Sequence, residues 1–252
     1  MIVFYGRAKV GTAFKALCDY LGKECHILDD KDEVIDMTLL EKADVIVPTP
    51  GLPQTHTIYQ TYGNKIVSEL DMCASIMAEQ GLNPLSIGIS GTDGKSTVTW
   101  IIAEAIRQTL PTHQVHISGN FDEPMGQTIL NILQAGTQSA NHIFVVECSS
   151  FMLYPTKKYN FTVGVRTNFA PDHLNWHPNM DEYFAAKQRL IEGSNIAFTT
   201  QEIFERLTPA LHAKTHIYNQ TYDLSNTHFV GQHNEKNCAV AYQAVMALCD
   251  QA

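Results

Sequence analysis

The sequence is poor in charge and has no surplus of positive charge. Only 17% of its 252 residues are charged, and 17 lysines and arginines against 26 aspartates and glutamates leave a formal net charge of −9. That balance offers no electrostatic footprint for a nucleic-acid partner. The six cysteines (Cys18, Cys25, Cys73, Cys148, Cys238 and Cys249) form no C-x-x-C pair and most sit in apolar runs, so they read as reduced, buried thiols of a cytoplasmic protein. No apolar run reaches transmembrane length, and no membrane partner is expected. Met1–Tyr5 is too short for the apolar core of a signal peptide and reads as a first strand. Internal repeats and low-complexity tracts are missing too. What is present is a globular composition, 44% hydrophobic, in a length that allows one large or two modest domains.

Ser86–Thr97 is the stretch around which the rest is organised. Ser86 to Ile89 reads as a buried strand. Gly88, Gly91 and Gly94 turn the chain into Lys95-Ser96-Thr97, and Val98 to Arg107 carries apolar residues at helical spacing. Strand, glycine loop, Lys-Ser and helix is the layout of a phosphate-binding loop. Glycines let backbone N–H groups turn inward, and the helix N-terminus adds partial positive charge. Lys95 is then expected at the β- and γ-phosphates and Ser96 at Mg²⁺. The strict pattern has glycine six residues before the lysine, where this chain has Ile89.

Upstream, Ile2–Tyr5, the turn Gly6-Arg7-Ala8-Lys9-Val10-Gly11, a helix to about Leu21 and a strand Cys25–Leu28 ending in Asp29-Asp30 resemble a Rossmann-like unit. Ala8 replaces the middle glycine of the dinucleotide fingerprint and would crowd a pyrophosphate. The unit therefore either binds a nucleotide other than NAD or merely packs helix on strand. A third strand, Asp44–Val47, leaves through the stiff loop Pro48-Thr49-Pro50-Gly51-Leu52-Pro53, at the end where open α/β sheets bind ligands. A short strand is expected over Lys65–Val67 and a helix over Glu69–Glu79. The break Gln80–Pro84 marks a boundary between domains 1–82 and 83–252. Beyond it, strands at 115–117, 142–146, 162–165, 196–199 and 216–218 alternate with helices at 124–133, 181–191, 201–211 and 232–248. The expected fold class is α/β with mostly parallel sheets covered on both faces.

Three further segments carry candidate chemistry. Glu147 follows an apolar strand directly, the position from which a carboxylate faces a phosphate-bound metal; the bland alternative is a surface acid. Asp172-His173-Leu174-Asn175-Trp176-His177 is a dense polar cluster. Two histidines four apart suit zinc on a helix, but Pro178 argues against a regular helix through both, and a place near Mg²⁺ or substrate fits better. Lys187, within Tyr183-Phe184-Ala185-Ala186-Lys187, is by pattern alone a snorkelling lysine.

Together these segments resemble the Mur ligase family of ATP-dependent amide-forming ligases. Gly91-Thr92-Asp93-Gly94-Lys95-Ser96-Thr97 is similar to the family's Gly-Thr-Asn-Gly-Lys-Ser-Thr loop, with Asp93 for Asn. Glu147-Cys148-Ser149-Ser150-Phe151 is similar to its Glu-x-Ser-Ser-Phe segment, whose acid binds Mg²⁺. Asn168 with Asp172-His173 resembles its Asn-x-x-x-Asp-His segment. Tyr183-x-x-Ala186-Lys187 resembles the motif whose lysine is carbamylated and coordinates a second Mg²⁺. Gly231-Gln232-His233-Asn234-x-x-Asn237 resembles the asparagine motif near the adenine.

The resemblance implies a Rossmann-like, UDP-sugar-binding N-terminal domain (1–82), a P-loop central ATPase domain (83–252), and absence from this chain of the family's C-terminal domain. It implies ATP and Mg²⁺ as cofactors. Gly91, Thr92, Asp93, Gly94, Lys95, Ser96, Thr97, Asn234 and Asn237 would surround the nucleotide. Ser96, Glu147, His173 and Lys187 would lie at the metal, with Lys95, Glu147, His173 and Lys187 in catalysis, and Asp29, Lys31, Gly51 and Asn120 along the UDP-sugar. The first domain, the Thr49-Pro50-Gly51 loop and Gly119-Asn120 are most similar to the members that add D-glutamate to UDP-N-acetylmuramoyl-L-alanine through an acyl phosphate, which implies a monomeric cytoplasmic enzyme of peptidoglycan synthesis. Two departures are Asn175, where the family commonly has aspartate, and Val10, where it often has a small hydroxyl. A two-domain module that holds UDP-sugar or ATP without ligating, and another Mur-type ligase, stay open. A folylpolyglutamate synthase is disfavoured because about 80 residues of Rossmann-like sequence precede the phosphate loop.

Overall fold

The computed structural model describes residues 1–219, 222, 224 and 231–252. In chain order its strands and α-helices are β1 (Ile2–Tyr5), α1 (Lys9–Tyr20), β2 (Cys25–Leu28), α2 (Met37–Lys42), β3 (Val45–Pro48), α3 (Thr57–Tyr62), α4 (Glu69–Glu79), β4 (Leu85–Ser90), α5 (Lys95–Thr109), β5 (Gln114–Gly119), α6 (Met125–Ala135), β6 (His142–Glu147), α7 (Ser150–Leu153), β7 (Phe161–Arg166), α8 (Met180–Glu192), β8 (Ser194–Thr199), α9 (Gln201–Arg206), α10 (Pro209–His212), β9 (Thr215–Ile217) and α11 (Gln232–Cys249). They form a three-stranded sheet, order β2-β1-β3, and a six-stranded sheet, order β5-β6-β4-β7-β8-β9. Every pairing between these strands is parallel, as expected for the α/β class.

Parallel strands are joined by crossovers that cover both faces of a sheet, so each strand is apolar on both sides. Val3 and Tyr5 pack with Leu28, Leu40 and Ile46, while Phe4 between them points the other way, onto Phe14, Leu17 and Leu70. The cluster around Phe4 also takes in Ile129 and Leu133 of α6 and Phe144 and Val146 of β6, so one core joins the two sheets. On the opposite face of the large sheet, Ile87 and Ile89 of β4 meet Val98, Ile102 and Ile106 of α5 and Val240, Ala244 and Leu248 of α11. β1 lies between β2 and β3, and β4 between β6 and β7, so the connections run to both sides of each strand across the sheet, which opens a crevice at their C-terminal ends. The loops leaving them are Gly6–Ala8 and Gly91–Gly94.

Three expectations are corrected. Gly88 is not part of the turn: it lies inside β4, where a Cβ would come within 2.5 Å of Leu190 Cδ1 and 2.9 Å of Phe161 Cδ1, so it lets α8 pack close on the sheet. Lys65–Val67 is not a strand. Gly63–Lys65 forms one 3-10 turn and only Ile66 bridges to Ile46, because Ser68 caps α4 at once by accepting the Asp71 N–H. The single helix expected over 201–211 is two, α9 and α10, since Pro209 cannot continue a helix and takes the first position of a new one. All six cysteines are free, four of them buried. Among the described residues no helix is long and apolar enough to cross a membrane.

On the edge of the large sheet, His116 Nε2 lies 3.0 Å from His142 Nδ1, and His142 Nε2 lies 2.7 Å from Thr137 O. One tautomer choice satisfies this chain of bonds: His142 donates Nε2–H to the carbonyl and accepts His116 Nε2–H at Nδ1. Burial, then the neighbouring His142, pushes His116 down to about 4. For a base depressed from about 6.5, the unfolded chain binds the proton first, so native stability is present above pH 6.5 and is lost as pH falls from 6.5 towards 4. Discounted for its partial exposure, the loss is on the order of 1–2 kcal/mol. In urea titrations at pH 7 and pH 4.5, wild type should lose this much more than the His116→Phe variant. Equal losses would mean that His116 does not carry the acid sensitivity.

Candidate nucleotide and metal site

The loop after β4 is shaped by two glycines and held by the exit of β7. Gly91 (φ +155°) and Gly94 (φ +78°) adopt conformations that L side chains avoid. A Cβ on Gly91 would overlap Thr167 Oγ1, and one on Gly94 would sit 2.9 Å from Asn237 Oδ1. Asn168 clamps the residues between them: its Oδ1 accepts the N–H groups of Thr92 (2.9 Å) and Asp93 (2.8 Å), and its Nδ2 donates to Asp93 O (3.0 Å). Thr167 Oγ1 donates to Asp93 O at 2.8 Å, and Thr92 Oγ1 accepts the Ala170 N–H at 3.0 Å. The clamp leaves the first-turn N–H groups of α5, from Lys95 to Thr97, without partners inside the helix, as an anion site requires.

Glu147, at the end of β6 and only 2% exposed, joins two other elements. Ser96 Oγ donates to its Oε2 at 2.6 Å and Asn120 Nδ2 to its Oε1 at 2.7 Å, while the Asn120 N–H donates to its carbonyl at 2.9 Å. Asn120, expected along a UDP-sugar, is thus engaged with the acid expected at the metal. A hydroxyl and a carboxylate side by side beside an anion loop are hard oxygen donors of the kind Mg²⁺ takes. Among the described residues there is no group of three His, Cys, Asp or Glu suited to hold a metal ion.

Two lysines flank the loop. Lys95 Nζ donates to Thr92 O at 2.7 Å. Lys187 Nζ, 1% exposed, donates to Gly91 O at 2.7 Å and lies 4.9 Å from the centre of the Tyr183 ring. Burial lowers the Lys187 amine to about 7, with Lys95 and Arg166 pushing the same way, so near neutral pH much of it is uncharged. The side chain does not snorkel.

His173 is the one non-glycine residue with positive φ (+54°) among the described residues. Its ring lies 4.8 Å from that of Phe151 and 6.0 Å from that of Tyr183, and its Nε2 is 3.3 Å from Asp172 Oδ2. It therefore reaches the Lys187 side of the site through Tyr183 rather than by direct contact. The turn contains no regular helix, as Pro178 implied. His177 Nε2 lies 2.9 Å from Ser150 Oγ, and Trp176 Nε1 donates to Gly51 O and Leu52 O, each at 3.1 Å. Asn237 packs on Gly94 and its Nδ2 lies 3.5 Å from Asn234 Oδ1. On the small sheet, Asp29 accepts the N–H groups of Arg7 (2.6 Å) and Lys31 (3.0 Å), which hold its carboxyl below the usual range. Lys31 is exposed at that same turn, and Gly51 (φ +93°) has open space where a Cβ would stand. Asp29, Lys31 and Gly51 share the C-terminal edge of the small sheet, apart from the contacts around Glu147.

Trp176 and Tyr183 stand inside segments that the sequence marks but carry no expected role of their own there, and Thr167 is not marked as a site residue. Their roles arise from residues about 75 to 125 positions away in the chain, and only the aromatic density around 176–184 hinted at them.

Residues 89–228, more than half of the chain, match the Mur ligase middle domain. A UDP-N-acetylmuramoylalanine–D-glutamate ligase from Oleidesulfovibrio alaskensis is 27% identical over 253 residues, covering 98% of this chain and 54% of the relative. One from Petrotoga mobilis is 31% identical over 156 residues, covering 61% of this chain and 34% of the relative. The chain thus spans between a third and a little over half of the length of these relatives. Among solved structures, the UDP-N-acetylmuramate:L-alanyl-gamma-D-glutamyl-meso-diaminopimelate ligase from Neisseria meningitides shares the fold at TM-score 0.58 and 13% identity, over 99% of this chain and 96% of that one. MurF from Acinetobacter baumannii does so at TM-score 0.51 and 16% identity, over 71% of this chain and 46% of that one. With its parallel sheets, its glycine loop clamped by Asn168 and the match across residues 89–228, the chain belongs to the Mur ligase family.

Proposed function

We propose that the chain takes part in ATP-dependent amide-bond formation on a peptidoglycan precursor, adding D-glutamate to UDP-N-acetylmuramoyl-L-alanine in the cytoplasm. The observation that carries this reading is the junction of Ser96 Oγ with Glu147 Oε2 at 2.6 Å, at the foot of a glycine loop flanked by Lys95 and Lys187. In this reading residues 83–252 hold Mg²⁺·ATP. Gly91 to Thr97 cradle the phosphates, Lys95 swings from Thr92 O to the β- and γ-phosphates, and Asn234 and Asn237 lie towards the adenine. Ser96 and Glu147 would hold a metal ion, with Lys187 and His173 as its further expected neighbours. The metal, when bound, neutralises phosphate charge during transfer of the γ-phosphoryl group to the substrate carboxylate. The amine of D-glutamate then attacks the acyl phosphate and phosphate leaves. Residues 1–82, with Asp29, Lys31 and Gly51 on one sheet edge, hold the uridine side of the substrate.

Resting inside the protein, Lys187 favours one further role. A neutral amine adds to CO₂, forming an N–C bond and releasing a proton, and the product is a carbamate anion that attracts a cation the ammonium would repel. Support for the D-glutamate reading comes from the relatives' own activity; support for the chemistry comes from the side-chain arrangement. A second reading is a module that binds both nucleotides without ligating, since each of the two sheets presents a ligand loop of its own.

Phosphate release from Mg²⁺·ATP that requires UDP-N-acetylmuramoyl-L-alanine and D-glutamate together tests the ligase reading. Release at least tenfold above that with either one omitted is the expected result, and Glu147→Gln should remove it. Tight binding of both nucleotides with no such release would establish the module instead.

A further inference from the structure

Trp176 is the residue that ties the two sheets' ligand loops together. Its indole N–H is shared between Gly51 O and Leu52 O, at 3.1 Å each, in the loop leaving β3. Its ring is wedged among Phe151 (4.9 Å), Tyr154 (5.3 Å) and His177 (4.5 Å). Trp176 also closes the turn that carries His173: the N–H groups of Trp176 and His177 both donate to His173 O at 2.9 Å. That turn is pinned at its far end by His177 on Ser150, two residues past Cys148 and three past Glu147. His173 itself is held at φ +54°, a left-handed backbone state uncommon for a non-glycine residue.

We propose that Trp176 is a positioning residue that couples occupancy of the Thr49–Pro53 loop by a uridine-diphospho muramoyl ligand to the placement of His173 beside the ATP site. The proposal rests on the reading that this loop meets the UDP-sugar. The physical path is short. Gly51 is exposed, has φ +93° and has nothing within 4 Å of where a Cβ would stand, which gives a ligand room to press on the loop there. A shift of its carbonyls moves the indole N–H that they share. The indole is packed on three rings, so it moves as a lever rather than by turning alone, and the His173 turn moves with it. His173 faces Tyr183, whose ring lies under Lys187 and whose hydroxyl is 3.4 Å from Thr92 Oγ1 of the phosphate loop. Coupling through one shared hydrogen bond is worth roughly a three- to tenfold mutual change in affinity, and it acts equally in both directions.

Two measurements test this. The affinity of a non-hydrolysable ATP analogue with Mg²⁺ is measured with and without saturating UDP-N-acetylmuramoyl-L-alanine, in wild type and in Trp176→Phe, which keeps a ring and removes the donor. A roughly three- to tenfold tightening in wild type that falls to about onefold in the variant is expected. A general loss of stability would weaken both affinities without changing their ratio. The chain has two tryptophans, so Trp100→Phe, a change at a half-exposed position on α5, leaves Trp176 as sole emitter, and adding UDP-N-acetylmuramoyl-L-alanine alone should shift its emission. This second test keeps Trp176 in place and stands even where Trp176→Phe fails to fold. Binding of both ligands with an unchanged ratio in Trp176→Phe, with no tightening in wild type, or with unmoved emission overturns the coupling and leaves the UDP-sugar reading intact. No binding of the UDP-sugar overturns both.

Discussion

Replacing Lys187 by methionine should lower Mg²⁺-dependent ligation by at least about 100-fold while making the fold more stable. The two effects come from one cause. Lys187 is a buried amine that donates to Gly91 O. Its pKa of about 7, against an ordinary 10.5, means that the unfolded chain holds the proton more tightly than the native one. The resulting penalty on native stability is full below pH 7 and disappears as pH rises to 10.5. At pH 7 it is about 4 kcal/mol. Methionine removes that penalty at a loss of about 1 kcal/mol for the hydrogen bond to Gly91, so urea unfolding at pH 7 in CO₂-free, Mg²⁺-free buffer should favour the variant by a few kcal/mol. A residue that destabilises the fold in this way has its explanation in chemistry, and the neutral amine beside the phosphate loop supplies it. With ¹³C-bicarbonate, wild type should show a carbamate resonance that grows as pH rises through about 7, where the amine loses its proton, and that the Lys187→Met variant lacks. Undiminished ligation in Lys187→Met would remove Lys187 from the mechanism.

How much of this was legible beforehand follows from where each determinant lies in the chain. The phosphate loop is local: Gly91, Gly94, Lys95 and Ser96 lie within six residues, and the strand and helix that frame them have their own periodicities. Glu147 was legible because an apolar strand ends on it. What was not legible is whatever depends on distant partners. Lys187 looks like a snorkelling lysine until Gly91 O and Tyr183 are brought to it. Gly88 looks like part of the loop until Leu190 and Phe161 fill the space beside it. Arg166 closes β7 as a charged residue at a strand end would, yet it is fully buried with its guanidinium 4.0 Å over the Phe184 ring, and its three nitrogens have no hydrogen-bond partner among the described residues. The short elements α2, α3 and α7 escaped because one turn carries too few residues to display a period.

Glu69 is a further buried charge to which the sequence assigns no role, and it predicts a large effect of opposite pH sign. It is the first residue of α4, 3% exposed, packed where the core joins the two sheets, and neither carboxylate oxygen has a hydrogen-bond partner among the described residues. Burial raises its pKa from 4.5 to about 7; the nearby Met125 N–H at the start of α6 lies outside hydrogen-bond geometry and draws it back only in part. For an acid with a raised native pKa, the penalty is absent below pH 4.5, where both states are protonated. It grows as pH rises and is complete above pH 7, where the native state must hold an unpaired carboxylate. The difference is about 3 kcal/mol. Glu69→Gln, which keeps the shape and cannot ionise, should therefore match wild type within about 1 kcal/mol at pH 4.5 and exceed it by about 3 kcal/mol at pH 8, a rise in Tm of roughly 6–12 °C. Because Glu69 makes no hydrogen bond to Ser96, Asn120 or Glu147 among the described residues, ligation by the variant at pH 8 should stay within about twofold of wild type. A stability difference that does not change between the two pH values would show that the carboxylate finds a partner in solution, and the site between α4 and α6 would then need a donor that the packing of Cys73, Cys148 and Met125 around it does not supply.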